Sequence, residues 1–198
     1  VCFNGYSLRK MMNSVHKIPL SIIMPAYNAE AYVAEAIESV LNQNFTEFEF
    51  IIVNDGSKDN TLEVIKRYND PRIKLIDQPN KGLIDTLNDT VLLAQSDIIA
   101  RMDADDICYP QRLQVEYDFL TQNPDYVLVG SEADVIYKDG NYLMPLIPIG
   151  HTYEEIKERI HIKCPFIHPS VMFRKQAVMD AGFYPKNALT FEDHLLWK

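Results

Sequence analysis

Asp97-Ile98-Ile99-Ala100-Arg101-Met102-Asp103-Ala104-Asp105-Asp106 decides how this chain reads. An apolar run over 97–102 describes a short β-strand, and carboxylates begin where that strand must break into a loop. In an open α/β sheet, ligands bind beyond the carboxyl ends of the strands. Carboxylates there suit a hard divalent cation, which in turn suits a diphosphate. The same residues also make turns and helix caps, so the stretch takes its meaning from its surroundings.

Working outward, the preceding chain alternates short β-like runs with amphipathic helices. Leu20–Met24 is an apolar run closed by Pro25, and Val33, Ala36, Ile37, Val40 and Leu41 follow at helical spacing behind Asn28 as an expected cap. Phe48–Val53 is a second strand, ending at Asn54-Asp55-Gly56-Ser57, with a helix marked by Thr61, Val64, Ile65 and Tyr68. Ile73–Ile76 is a third, followed by Asn80-Lys81-Gly82 and a helix along Leu83, Leu87, Val91 and Ala94. Pro110 opens the helix after the acidic stretch, through Leu113, Tyr117 and Leu120. Such alternation predicts an α/β fold with a mostly parallel sheet and helices on both faces.

After Pro124 the pattern changes. Tyr126–Ile136 and Tyr142–Ile149 flank Lys138-Asp139-Gly140-Asn141, a hairpin signal. Thr152-Tyr153-Glu154-Glu155 reads as a capping box, Pro169–Phe173 as a late strand and Gly182 as a helix terminator. The expected division is a tail over 1–17, a nucleotide-binding half over 18–124 and a smaller β/α half over 125–198. Leu195-Leu196-Trp197-Lys198 ends inside an apolar pattern, so the acceptor-side half is expected to be incomplete and the natural protein to continue.

Bulk properties exclude several classes. The 198 residues are 47% apolar and 24% charged, enough for one domain with a substantial core. A net charge of -9 argues against a nucleic-acid partner, which would face a basic surface. Cys2, Cys108 and Cys164 are odd in number and widely spaced, which fits a reducing, cytoplasmic setting and no zinc framework. No stretch approaches the roughly 20 apolar residues of a membrane helix.

Three strand ends carry distinctive polar residues: Pro25-Ala26-Tyr27-Asn28, Asn54-Asp55-Gly56-Ser57 and Asp103-Ala104-Asp105-Asp106. The topology brings them to one sheet edge, where a ring can stack on a base, Asp55 can accept a base N–H and a cation can neutralise a diphosphate. There is no P-loop and no G-x-G-x-x-G, so phosphate recognition falls to the metal. Downstream, Phe191-Glu192-Asp193-His194 sets two carboxylates at the start of a final helix, either of which can serve as a general base.

Taken in order, these motifs resemble the family-2 inverting glycosyltransferases of GT-A fold. The resemblance rests on Pro25-Ala26-Tyr27-Asn28 with Glu30, Val53 to Ser57, Asn80-Lys81-Gly82 with Asn88, Met102 to Asp106, and Glu192-Asp193 ahead of Leu196-Trp197. It implies a GT-A, Rossmann-like sheet and a nucleotide site made by Pro25, Ala26, Tyr27, Glu30, Asp55, Lys81, Asp103 and Ala104. It further implies Mn²⁺ or Mg²⁺ on Asp105 with help from Asp103, and Asp193 as the base. The expected donor is a nucleotide sugar, most simply a UDP-sugar, and the expected acceptor a saccharide or lipid-linked saccharide. Peripheral membrane association would come from helices beyond Lys198.

Plainer readings stand beside these. Asp55-Gly56 can also read as a turn, Asp103 to Asp106 as loop and cap and Tyr27 as core packing, while Lys81 reads first as a solvated cation. Glu192 and Asp193 read equally as first-turn acids. Two rival functions are a sugar-1-phosphate nucleotidyltransferase, which needs a glycine-rich basic loop after the first strand, and a sugar-nucleotide-binding module without turnover.

Overall fold

The computed structural model describes residues 17–188 and 191–198; the tail read over 1–17 lies outside these except for Lys17. Its centre is a six-stranded sheet of order β3-β2-β1-β4-β8-β5. Strands β1 (Leu20–Ala26), β2 (Phe48–Asp55), β3 (Ile73–Gln78) and β4 (Ile98–Arg101) run parallel, and β8 (Met172–Arg174) and β5 (Leu128–Val129) add an antiparallel edge.

Both sheet faces are covered, and alternate residues of each strand supply one layer each. Leu20, Ile22, Met24, Phe50, Ile52, Ile98, Ala100 and Met102 face helices α1 (Val33–Leu41), α2 (Thr61–Ile65) and α4 (Arg112–Gln122). Ile23, Ile51, Val53 and Ile99 face α3 (Leu83–Leu93) together with Phe173, Val178, Tyr184 and Leu196. Burial on two faces is why these strands read as unbroken apolar runs. Each such side chain contributes about 1.5–3 kcal/mol.

The strand order reverses between β1 and β4. At this switch point the connections leave in opposite directions and open a crevice beyond the strand ends. The loops after β1, β2 and β4 all emerge there.

Several local expectations are corrected. Asn28 does not cap α1; Tyr32 holds that position, and the chain enters through bonds from Tyr32 N and Val33 N to the Ala29 carbonyl. Asn28 instead sits at φ +52°, a conformation asparagine tolerates, and its Oδ1 accepts from Lys58 N at 2.8 Å. The run 126–136 is two strands: β5 joins the main sheet, the chain breaks at Gly130, and β6 (Ala133–Ile136) pairs with β7 (Tyr142–Leu146). A Cβ on Gly130 would stand 3.1 Å from the Phe166 ring, so the break is packed. Within 169–173, His168–Ser170 form a 3₁₀ turn before β8 begins.

The capping box at Thr152 is present: its hydroxyl accepts from Glu155 N, and Glu155 accepts from Thr152 N, opening α5 (Tyr153–Arg159). Short helices α6 (Lys175–Asp180) and α7 (Glu192–Trp197) complete the fold. Among the described residues no helix is long and apolar enough to cross a membrane.

Candidate active site

The loops after β1 and β2 are sewn together. Asn28 N donates to Ser57 Oγ at 3.0 Å, Ala29 N to Thr61 Oγ1 at 2.8 Å and Glu30 N to Asp59 Oδ2 at 3.1 Å. Glu30 in turn accepts from Asn60 N and Nδ2 at 3.1 and 2.8 Å, so its carboxylate braces the start of α2. Ala26 is buried, whereas Tyr27 is 48% exposed. That exposure removes core packing as the explanation of Tyr27.

Asp55 ends β2 and is 3% exposed. Its Oδ1 accepts from Gln78 Nε2 at 2.8 Å and Lys81 N at 2.9 Å, and its Oδ2 accepts from Gly82 N at 2.9 Å. The carboxylate thereby gathers amides just ahead of α3, where a negative charge meets the positive end of the helix dipole. Gly56 makes this possible: at φ +69° it passes so close to the next loop that a Cβ would lie 2.5 Å from Asn80 N. The Lys81 ammonium bonds Asp89 at 2.7 Å, so it reaches along α3.

After β4 the chain alternates. Ala104 is buried in the core, which leaves Asp103 and Asp105 to the opposite side, with Asp105 exposed. Asp103, Asp105 and Asp106 offer oxygens within 4.8 Å of one another. Burial pushes Asp106 up to about 6, helped by the charges of Asp103 and Asp105. Clustered anions of this kind repel unless a cation joins them. Three hard oxygen donors with no thiolate or imidazole fit Mg²⁺ or Mn²⁺.

Asp103 also meets a residue that the apolar reading of β4 passed over. Arg101, 2% exposed, grips it with both terminal nitrogens at 2.7 and 2.6 Å. Burial raises the Asp103 pKa, while Arg101 pulls it down. The available signal was period two: Arg101, Asp103 and Asp105 alternate along an extended chain. Arg112, paired with Glu116, donates to the Arg101 carbonyl at 2.9 Å, and Gln43 Nε2 donates to the Tyr109 carbonyl at 2.8 Å. The acidic loop is thus held at both ends.

Far along the chain, Asp193 lies in the first turn of α7. Its Oδ2 accepts from the Cys164 thiol at 3.3 Å and its Oδ1 from His194 N at 2.7 Å. Burial pushes Cys164 up to about 12, and the Asp193 carboxylate adds to the rise, so this thiol stays protonated as a donor. Glu192 lines a cleft of about 430 Å³ with Lys81, Gly82, Leu83, Ile84, Asp85 and Lys186. Tyr184 is fully buried, its ring 6.0 Å from that of Trp197, and burial raises the pKa of its hydroxyl. Its hydroxyl stands 3.2 Å from His168 Nε2, and burial, with the Arg101 charge behind it, holds that imidazole down at about 2.

A mostly parallel sheet with acidic residues at its switch point makes this an α/β domain of GT-A fold. Residues 21–182 match the profile described as Glycosyl transferase family 2. The putative glycosyltransferase EpsE of Bacillus subtilis (strain 168) is 36% identical over 196 residues, covering 94% of this chain and 67% of EpsE. The chondroitin synthase of Pasteurella multocida (strain Pm70) is 38% identical over 197 residues, covering 94% of this chain and 20% of the synthase. Among solved structures, S. aureus TarS 1-349 in complex with UDP-GlcNAc matches with a TM-score of 0.68 at 23% identity, over 90% of this chain and 52% of TarS. The chain belongs to glycosyl transferase family 2, and it is the catalytic domain of a glycosyltransferase.

Proposed function

We propose that this domain transfers a sugar from a UDP-sugar to an acceptor hydroxyl, with inversion and with a divalent cation, in building a cell-surface polysaccharide or glycolipid. The observation that carries it is the carboxylate set Asp103, Asp105 and Asp106 gathered at the sheet's switch point. Relatives named as sugar-polymer enzymes and a UDP-GlcNAc complex of the same fold support the donor class.

In this reading Tyr27 stacks on the base, while Pro25, Ala26 and Glu30 shape that loop. Asp55 has one Oδ2 position left beside its bond to Gly82 N, enough to accept a base N–H. Lys81, which lines the 430 Å³ cleft, would leave its ion pair with Asp89 to meet the donor. Asp103 contacts the ribose, with Ala104 fixing its direction from the core. Asp105, with Asp103 and Asp106, would hold Mn²⁺ or Mg²⁺, which supplies Lewis-acid stabilisation of the diphosphate leaving group.

Asp193 takes the acceptor proton as the acceptor oxygen bonds to the sugar C1. The bond from C1 to the diphosphate breaks on the opposite side, and the nucleoside diphosphate leaves with its electron pair. Cys164 and His194 N hold the base's two oxygens in place while leaving lone pairs for the proton.

The test is calorimetry of UDP, GDP and ADP with and without Mn²⁺, on the wild type and on Asp105→Asn. UDP should bind best and only with metal, and the variant should lose that binding. Equal affinity for all three nucleotides would remove the base assignment, and metal-independent binding the metal one.

A further inference from the structure

Arg101 is a puzzling residue for its position. It is an obligate cation on a central strand, 2% exposed, and its buried Nε has no hydrogen-bond partner. Burying a charge is costly unless a partner takes it up. The partner is Asp103, gripped by both terminal nitrogens in the fork geometry that guanidinium and carboxylate share.

The backbone of Arg101 is fixed as well. Its N–H donates to the Val171 carbonyl at 2.9 Å, its carbonyl accepts from Arg112, and Ile23 stands opposite it on β1. Arg112, the other buried guanidinium nearby, is already balanced by Glu116. Three carboxylates and Arg101 therefore carry a formal net charge of -2, the complement of one divalent cation.

We propose that Arg101 is a positioning residue and a built-in counter-charge. It holds the Asp103 carboxylate in one orientation for the donor, and it lowers the charge of the acidic cluster to match a single divalent cation that must also bind a diphosphate. The cluster then holds its metal firmly enough to recruit the nucleotide, without over-binding it. This assignment rests on the metal reading above.

The experiment is Mn²⁺ titration by calorimetry of the nucleotide-free protein, alongside kcat and KM for the donor. Arg101→Met keeps the bulk of the stem and removes the charge. It should bind Mn²⁺ tighter, by about threefold or more, because an attractive charge balance shifts in the cation's favour. Its kcat should nevertheless fall, since Asp103 is no longer oriented. Damage to the fold alone would weaken metal binding and rate together. Arg101→Lys retains the charge without the fork, so it should keep Mn²⁺ affinity within about twofold while losing rate.

Unchanged or weaker Mn²⁺ binding in a folded Arg101→Met protein would overturn the counter-charge. If that variant does not melt cooperatively, the lysine variant decides, because a larger change in its Mn²⁺ affinity overturns the assignment on its own. A wild type that binds no Mn²⁺ removes the metal reading and this one together.

Discussion

The two halves of the crevice are built differently. In the half that carries the proposed donor site, β1 and β2 are long and buried almost throughout, and two carboxylates at the strand ends are firmly held: Asp55 has three donors, Asp103 a two-point grip. On the acceptor side, β5 has two residues, every residue of β7 is exposed, and α5 buries none. Asp193 is held by a thiol and by an amide of its own helix turn. A firmly packed first half and a lightly held second half would suit the proposed transferase, which must place one substrate before it meets another. Regions with few buried contacts are also those that open most easily.

The largest expected effect divides the halves most sharply. Asp193→Asn keeps the shape and removes the basicity, and it should lower turnover by about 10²–10⁴. UDP-sugar affinity by calorimetry should not move, because the hydrogen bonds of Asp193 run to Cys164 and His194 and not to the proposed donor-site residues. If transfer continues near the wild-type rate, the base lies elsewhere, and Glu192, which lines the neighbouring cleft, is next to replace.

A smaller effect, of opposite kind, is expected on the donor side. Asp55→Ala deprives Lys81 N, Gly82 N and Gln78 of their acceptor. Stability should fall by about 1–3 kcal/mol, less if water reaches the freed amides. Donor affinity should fall with it, since the same carboxylate sets the loop before α3. Urea unfolding and nucleotide titration on one preparation would check both. Lost affinity at full stability would mean Asp55 serves the ligand alone.

This contrast also explains what the sequence makes legible. β1, β2 and β4 announce themselves because two-sided burial favours apolar runs, and the acidic run is visible because it ends one of them. Asp103, Asp105 and Asp193 could be chosen as candidates from their places at element ends. The grip of Arg101 on Asp103 hides inside an otherwise apolar strand. The bond from Cys164 to Asp193 joins residues 29 apart, and nothing local in either segment encodes it. In the acceptor-side half the strands are too short for a period to show, so β5 and β6 read as one run until the packing at Gly130 separates them.

The smallest expected effect tests whether the acceptor side is as loosely coupled as its contacts suggest. Thr152→Ala breaks the reciprocal cap of α5, where the Thr152 hydroxyl accepts from Glu155 N and Glu155 accepts from Thr152 N. Such a cap is worth about 0.5–2 kcal/mol to its helix. No residue of α5 is buried, so the core loses no packing when that helix frays. The cost should therefore stay local. Hydrogen exchange should quicken over 153–160 while the melting temperature stays within about 2 °C, the scale of a sub-kcal/mol change in a protein of this size. A drop well beyond that would mean that α5 unfolds together with the sheet. Ile156 and Ile160, which line the apolar cleft against Phe166 and Trp197, would then be its route into the core, and the division into a rigid and a loose half would fail.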